Sequence, residues 1–163
     1  MKTKLTILIT LTIITIISGC ISSDVNQVDQ LAPKINEHLI KGDEYYNQSA
    51  IDLNNFNINS SLQKSNNAFS EYNSARSLTS EALSYAQSSQ DSVYSQYLQL
   101  VLSEIDTKLN ATSKLRTAGQ LFQSGNNETA NSDLLSANSM MINAQEFEKQ
   151  REILIKENPA KFK

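Results

Sequence analysis

Four stretches of this chain carry apolar or small side chains at mostly alternating steps of three and four residues. That spacing gathers side chains on one face of an α-helix. The first stretch runs through Val25, Val28, Ala32, Ile35, Leu39, Gly42, Tyr46, Ser49 and Leu53, with Pro33 either opening its first turn or kinking it. The second holds Leu62, Phe69, Tyr72, Ala75, Leu78, Ala82 and Tyr85. The third holds Tyr94, Tyr97, Val101, Ile105, Leu109, Thr112, Leu115, Ala118 and Phe122. The fourth holds Ala130, Leu134, Ala137, Met141, Ala144, Phe147 and Leu154.

The breaks between them are equally legible. Residues 54–59 are asparagine-rich, and asparagine competes with the helix for backbone hydrogen bonds. Residues 88–91 end in Asp91, a good N-cap. Residues 124–127 place Gly125 where a left-handed helix end is expected, followed by asparagines able to cap the next helix. Asn158-Pro159 stops the last stretch. No segment alternates in the manner of a strand. Helices of about 30 residues, roughly 45 Å long at 1.5 Å per residue, joined by short turns pack as antiparallel neighbours. The expected fold is therefore all-α, an antiparallel up-down four-helix bundle over residues 25–157. Its core of Ala, Ser and Tyr implies slender packing and modest stability.

Within the last two helices, Ala118, Leu121, Gly125, Ala130, Leu134 and Ala137 lie at spacings similar to the small and apolar positions of a tetratricopeptide hairpin, a resemblance confined to residues 115–140. It implies an alternative architecture of two stacked tetratricopeptide-like hairpins.

The N-terminus has a different character. Lys2 and Lys4 precede an uncharged run of Ile, Leu and Thr from residue 5 to 17, followed by Ser18, Gly19 and the chain's only cysteine, Cys20. Thirteen residues suit the apolar region of a signal peptide, whereas a spanning helix needs roughly 20. Ile17-Ser18-Gly19-Cys20 resembles the lipobox of bacterial and archaeal lipoproteins. The resemblance implies export, removal of residues 1–19, and lipid attachment to the Cys20 sulfur. Residues 20–24 would then form the lipidated tether, and the helical domain would face the outside of the cell membrane. A retained signal anchor is the alternative and gives the same orientation.

Composition narrows the chemistry. The chain has 163 residues, with 14 Lys and Arg against 17 Asp and Glu. That acidic balance provides no field for nucleic-acid phosphates. One Cys and one His exclude an internal disulfide and the usual zinc or iron–sulfur ligand sets. His38 has Glu37 beside it in sequence, which on a helix points elsewhere, and reads as a surface or half-buried side chain. Asp43-Glu44, Glu104 with Asp106, and Glu146 with Glu148 read as solvated helix surface. Glu37–Lys41, Glu104–Lys108 and Glu152–Lys156 have ordinary i,i+4 spacing. No clustered glycines cradle a phosphate, and no acidic loop suits calcium. Neither a catalytic constellation nor a cofactor or metal site is expected.

Two surfaces remain as candidates. In an up-down bundle the turns at 54–59 and 124–127 meet at the end away from Cys20. There Asn55, Phe56, Asn57, Ile58, Asn126 and Asn127 would present apolar groups rimmed by amides to an envelope protein or surface polymer. Alternatively, Tyr85, Tyr94 and Tyr97 would gather near the turn between the second and third helices and line a small-ligand pocket. Sequons occur at Asn47, Asn59, Asn110 and Asn127, a number expected by chance in so Asn-, Ser- and Thr-rich a chain. The tail, residues 158–163, carries Lys161 and Lys163; with Lys156 these lie where anionic head groups would attract them.

Overall fold

A computed structural model describes residues 23–162, with side chains from Asn26 to Phe162. The signal-like leader at 1–19, Cys20, most of the tether and Lys163 lie outside the described residues. The chain forms four helices, α1 (Ser23–Asn54), α2 (Ile58–Ser88), α3 (Ser92–Gln123) and α4 (Asn127–Glu157). They make an all-α antiparallel four-helix bundle. No helix among the described residues is long and apolar enough to cross a membrane.

Pro33 neither starts nor ends α1, which runs through it. The missing N–H leaves the carbonyl four residues earlier, on Asp29, without its helical partner. Pro33 lies on the exposed face.

The three turns are shorter than the asparagine content suggests, and they share one geometry. Phe56 N–H donates to the Leu53 carbonyl at 3.0 Å and Asn57 N–H to Asp52 at 2.8 Å; Gln90 and Asp91, then Gly125 and Asn126, repeat the pair of bonds. This is the Schellman helix end, whose central residue is left-handed. The φ values at that position are +58° for Phe56, +56° for Gln90 and +79° for Gly125. The residue after it caps the next helix in two cases. Asp91 accepts from the N–H groups of Val93 and Tyr94, and Asn126 accepts from Thr129. Ile58 and Asn59 already belong to α2.

Each helix packs on the next, α1 on α2, α2 on α3 and α3 on α4. Helices α1 and α3 touch along a narrow parallel line, and the α4 backbone packs on α3 alone. An open seam therefore runs between α1 and α4 over α3. Helix α3, buried from several sides, contributes Leu98, Val101, Ile105, Ala111, Leu115 and Gly119 among others.

The centre of α2 differs from the expected stripe. Ser61, Ser65, Ala68, Tyr72, Ala75, Thr79, Ala82 and Ala86 are buried, while Leu62, Phe69, Leu78 and Tyr85 flank them half-buried. Small side chains at the contact line let the backbones approach closely, and the larger ones close the sides. Two of the buried hydroxyls are satisfied by backbone carbonyls: Ser49 of α1 donates to the Ser61 carbonyl at 2.8 Å and Thr79 to Ala75 at 2.7 Å. Helix α4 repeats the pattern with Ala130, Ala137 and Ala144, adding Leu154.

Candidate functional site

Three features lie along the α1–α4 seam, one at each end and one in the middle. At the end away from Ser23, the first and third turns come together as expected. Phe56 leaves the α1 turn and meets Phe122 of α3 edge-on, with ring centroids 6.1 Å apart. Leu53, Asn54, Asn127, Asn131 and Leu134 complete a cleft of about 250 Å³ around them. Phe56 is 75% exposed. Of the other residues expected at this tip, Asn55, Asn57 and Asn127 are exposed. Asn126 is occupied in capping α4. Ile58 is half-buried against the core, because its place in the first turn of α2 turns it inward. Asn131 and Leu134 were not expected; they join the tip because α4 approaches it one turn beyond its start.

At the other end, the aromatic group forms with a change of membership. Tyr94 and Tyr97 line a small cavity, whereas Tyr85 lies on the flank of α2 and does not reach it. Phe162, from the tail, takes the third place, its ring centroid 5.3 Å from both tyrosines. The tail folds back onto the bundle here. The Tyr94 hydroxyl donates to the Lys161 carbonyl at 2.7 Å, and the Lys161 ammonium pairs with Asp91. Burial alone would raise the Asp91 carboxyl, but Lys161 and the N–H groups of Tyr94 and Val93 outweigh it and hold Asp91 below the ordinary aspartate value.

The middle feature corrects the reading of the carboxylates. Glu104 is 4% exposed, not solvated. Its carboxylate accepts from Lys108 at 2.9 Å on one oxygen and from Arg151 of α4 on the other. Lys108 also donates to Asp43 of α1 at 2.9 Å, and the Tyr72 hydroxyl of α2 donates to Asp43 at 2.6 Å. Two anions and two cations thus form a neutral buried chain with members on every helix. Desolvation works against the charged form of Lys108, yet Asp43 and Glu104 overcome it and raise its pKa. Desolvation and the Asp43 charge push the Tyr72 hydroxyl well above the tyrosine range, so it stays a donor. Gly42 makes room for this, since a Cβ there would lie 2.5 Å from the Tyr72 ring. The i,i+4 spacing of Glu104 and Lys108 was visible in sequence; that it faces inward was not, because only the packing on both sides of α3 makes a polar pair central.

His38 also acquires a partner that sequence adjacency does not suggest. Its Nδ1 lies 2.6 Å from Oε2 of Glu71 on α2, while Glu37 pairs with Lys41. This half-buried pair ties α1 to α2. Neither residue lines the Phe56 cleft or the cavity beneath Phe162. No group of three or more His, Cys, Asp or Glu among the described residues is arranged to hold a metal ion. No protein family, curated protein or solved structure matches this chain in comparison.

Proposed function

We propose that the protein is an exported lipoprotein, anchored through Cys20 on the outer side of the cell membrane, and that it acts as a non-enzymatic helical interaction module. Helix α1 spans roughly 48 Å at 1.5 Å per residue, so the anchor would hold the Phe56 tip well clear of the lipid surface. The partner is an envelope protein or surface polymer engaging Phe56 and the cleft beside it.

The observation that carries this reading is Phe56 itself. The first turn needs a left-handed residue, and the equivalent positions hold Gln90 and Gly125. A bulky side chain is disfavoured there by about 1–2 kcal/mol. Among the described residues Phe56 is also the most exposed large hydrophobic side chain, just ahead of Leu135. A residue unfavourable to the turn and to solvation together is a candidate for contact with another molecule.

Two measurements test the proposal. Incorporation of a labelled fatty acid into the wild-type protein and not into Cys20→Ser supports the anchor; equal labelling overturns it. Affinity purification from envelopes in mild detergent, with Phe56→Gly as the control, tests the tip. Glycine suits the turn, so a partner recovered at constant stoichiometry with wild type and lost from Phe56→Gly supports the reading. A partner retained equally by both, or no partner with either, refutes it.

A further inference from the structure

We propose that the cleft at the Phe56 tip binds a single ring of a neutral carbohydrate, an inference that rests on the reading of this tip as a contact surface. The cleft has a volume of about 250 Å³. That is below the roughly 300–1,000 Å³ of a pocket for a drug-sized molecule, so the space suits one ring rather than a length of chain. Phe56 and Phe122 supply aromatic walls that meet at 73°, edge to face, and so form a corner rather than a flat patch. Asn54, Asn127 and Asn131 bring three amides to the same space. These asparagines and Phe56 are all exposed, so their side chains are open to a molecule arriving from solvent. None of the seven residues lining the cleft carries a charge.

That lining selects among occupants. A pyranose ring presents C–H groups on its faces and hydroxyls around its rim. The C–H groups, slightly positive, lie favourably on the negative face of an aromatic ring. Each hydroxyl both donates and accepts, and so does each asparagine amide, with two N–H donors and a carbonyl acceptor. A phosphate, carboxylate or ammonium group would call for a counter-charge, which the lining does not hold. The carboxylates adjacent in sequence do not supply one: Asp52 is paired with Lys64 and Asp133 with Lys114, and Glu128 lies outside the lining. A purely apolar occupant would strip water from the amides without replacing its hydrogen bonds. A protein partner fits less well, since a stable interface takes roughly 20–30 residues a side and the cleft offers seven. The Phe56 N–H bond to the Leu53 carbonyl fixes the backbone that carries the ring, so less remains to be ordered on binding.

The full chain, purified in a polyoxyethylene ether detergent that carries no sugar, is titrated with four neutral probes, the methyl glycosides of glucose, galactose, mannose and N-acetylglucosamine. Binding is read by saturation-transfer NMR on the ring protons. The expected result is a saturable signal for at least one probe, weakened roughly tenfold or more in Phe56→Gly. Phe56→Leu, which keeps an apolar group but removes the aromatic face, and Asn131→Leu, which removes an amide from an exposed helix position, should each weaken it roughly threefold or more. Both should melt close to wild type, which separates lost binding from lost folding. Methyl glucuronide should bind no more tightly than methyl glucoside; tighter binding of the charged sugar would overturn the neutral class. No saturable signal with any of the four probes, or one unchanged in Phe56→Leu and Asn131→Leu alike, overturns the proposal. A protein partner recovered from envelopes through Phe56 without any sugar binding would overturn the carbohydrate and leave the interaction module standing, whereas neither sugar nor partner would refute both.

Discussion

Replacing Glu104 with leucine removes the central anion of the buried chain and leaves two cations to be reapportioned. Lys108 keeps Asp43, at 2.8 Å. Arg151 keeps only the charge of half-buried Glu148, one turn away on α4 and not bonded to it; its Nε lacks a partner among the described residues, and its side chain is largely buried against the Tyr97 ring, 5.6 Å from the guanidinium carbon. Breaking a buried ion pair by removing one partner costs about 3–5 kcal/mol. Because only one of the two cations is orphaned, the lower end applies, about 3 kcal/mol. Domains of this size are stable by about 5–15 kcal/mol, and each kcal/mol moves the midpoint by roughly 2–4 °C. The expected fall in Tm is therefore roughly 6–12 °C, read by far-UV circular dichroism.

The double variant Glu104→Leu with Arg151→Met gives the sharper test. It leaves Asp43 and Lys108 as a neutral pair and removes the orphan, so it should be more stable than Glu104→Leu alone. The coupling energy should be about 2 kcal/mol, within the range for residues in direct contact. A Glu104→Leu cost below about 1 kcal/mol, additive with Arg151→Met, would mean that water screens the chain, and would refute the argument.

Gly42→Ala should destabilise the fold by about 1–3 kcal/mol in urea, because overpacking against the Tyr72 ring outweighs the gain of about 1 kcal/mol that alanine brings to a helix interior; a net gain would mean that the ring shifts freely. Phe56→Gly should exceed Phe56→Ala in stability by about 1 kcal/mol, since both lose the Phe122 contact and only glycine relieves the left-handed strain; equal urea midpoints would refute the strain. Asp29→Asn and Asp91→Asn should respond to pH with opposite signs. Asp29 has a raised pKa in the fold, so its charge destabilises the protein at neutral pH, and the amide should increase stability there. Asp91 has a lowered pKa, so its contribution is present above the ordinary aspartate value and is lost as pH falls through the folded value; the amide keeps the cap but should decrease stability at neutral pH. Both differences should vanish in acid once pH lies below the folded values of both groups, the Asp91 difference last because its value is the lowered one, and a difference that persists there would assign the effect to packing instead.

The helices, their order and their antiparallel arrangement were legible because a step of three and four residues has one structural meaning over thirty residues. The turns were legible too: Gly125 and Asp91 occupy the positions that their backbone chemistry predicts. What failed was the placing of Leu62, Phe69, Leu78 and Tyr85 on the buried line of α2. In α2 the centre belongs to Ser61, Ser65 and Ala68, and Leu62 and Phe69 stand beside them, because closely packed helices favour small groups on the line of contact, Tyr72 fitting there where Gly42 makes room. Glu104 and Lys108 were misplaced for a related reason. A helix packed on one side shows its polar residues to water, but α3 is packed on several, and periodicity cannot count neighbours. Phe162 could not be assigned to the Tyr94 and Tyr97 group from sequence, since its place depends on the return of the tail.

The position of the charged chain follows from the same small residues. Interfaces lined by Ala and Ser have little shape to distinguish one register from another seven residues away, so sliding along the helix axis would sacrifice little apolar contact. A slip of that size would separate Asp43 from Lys108 and Glu104 from Arg151, leaving Asp43 and Arg151 without their partners while Glu104 and Lys108 keep only each other. The chain thus supplies register where packing is permissive, a role for which buried polar groups are suited even when they add little net stability. It also bridges the seam that α1 and α4 leave open, joining them through α3 at its middle. The two ends of the seam then need no closing contact between α1 and α4, which is why the Phe56 cleft remains open at one end and the Asp29 cavity beneath Phe162 at the other. Loss of the chain should therefore disturb both ends together, whereas Phe56→Gly and Asp29→Asn should each disturb only its own.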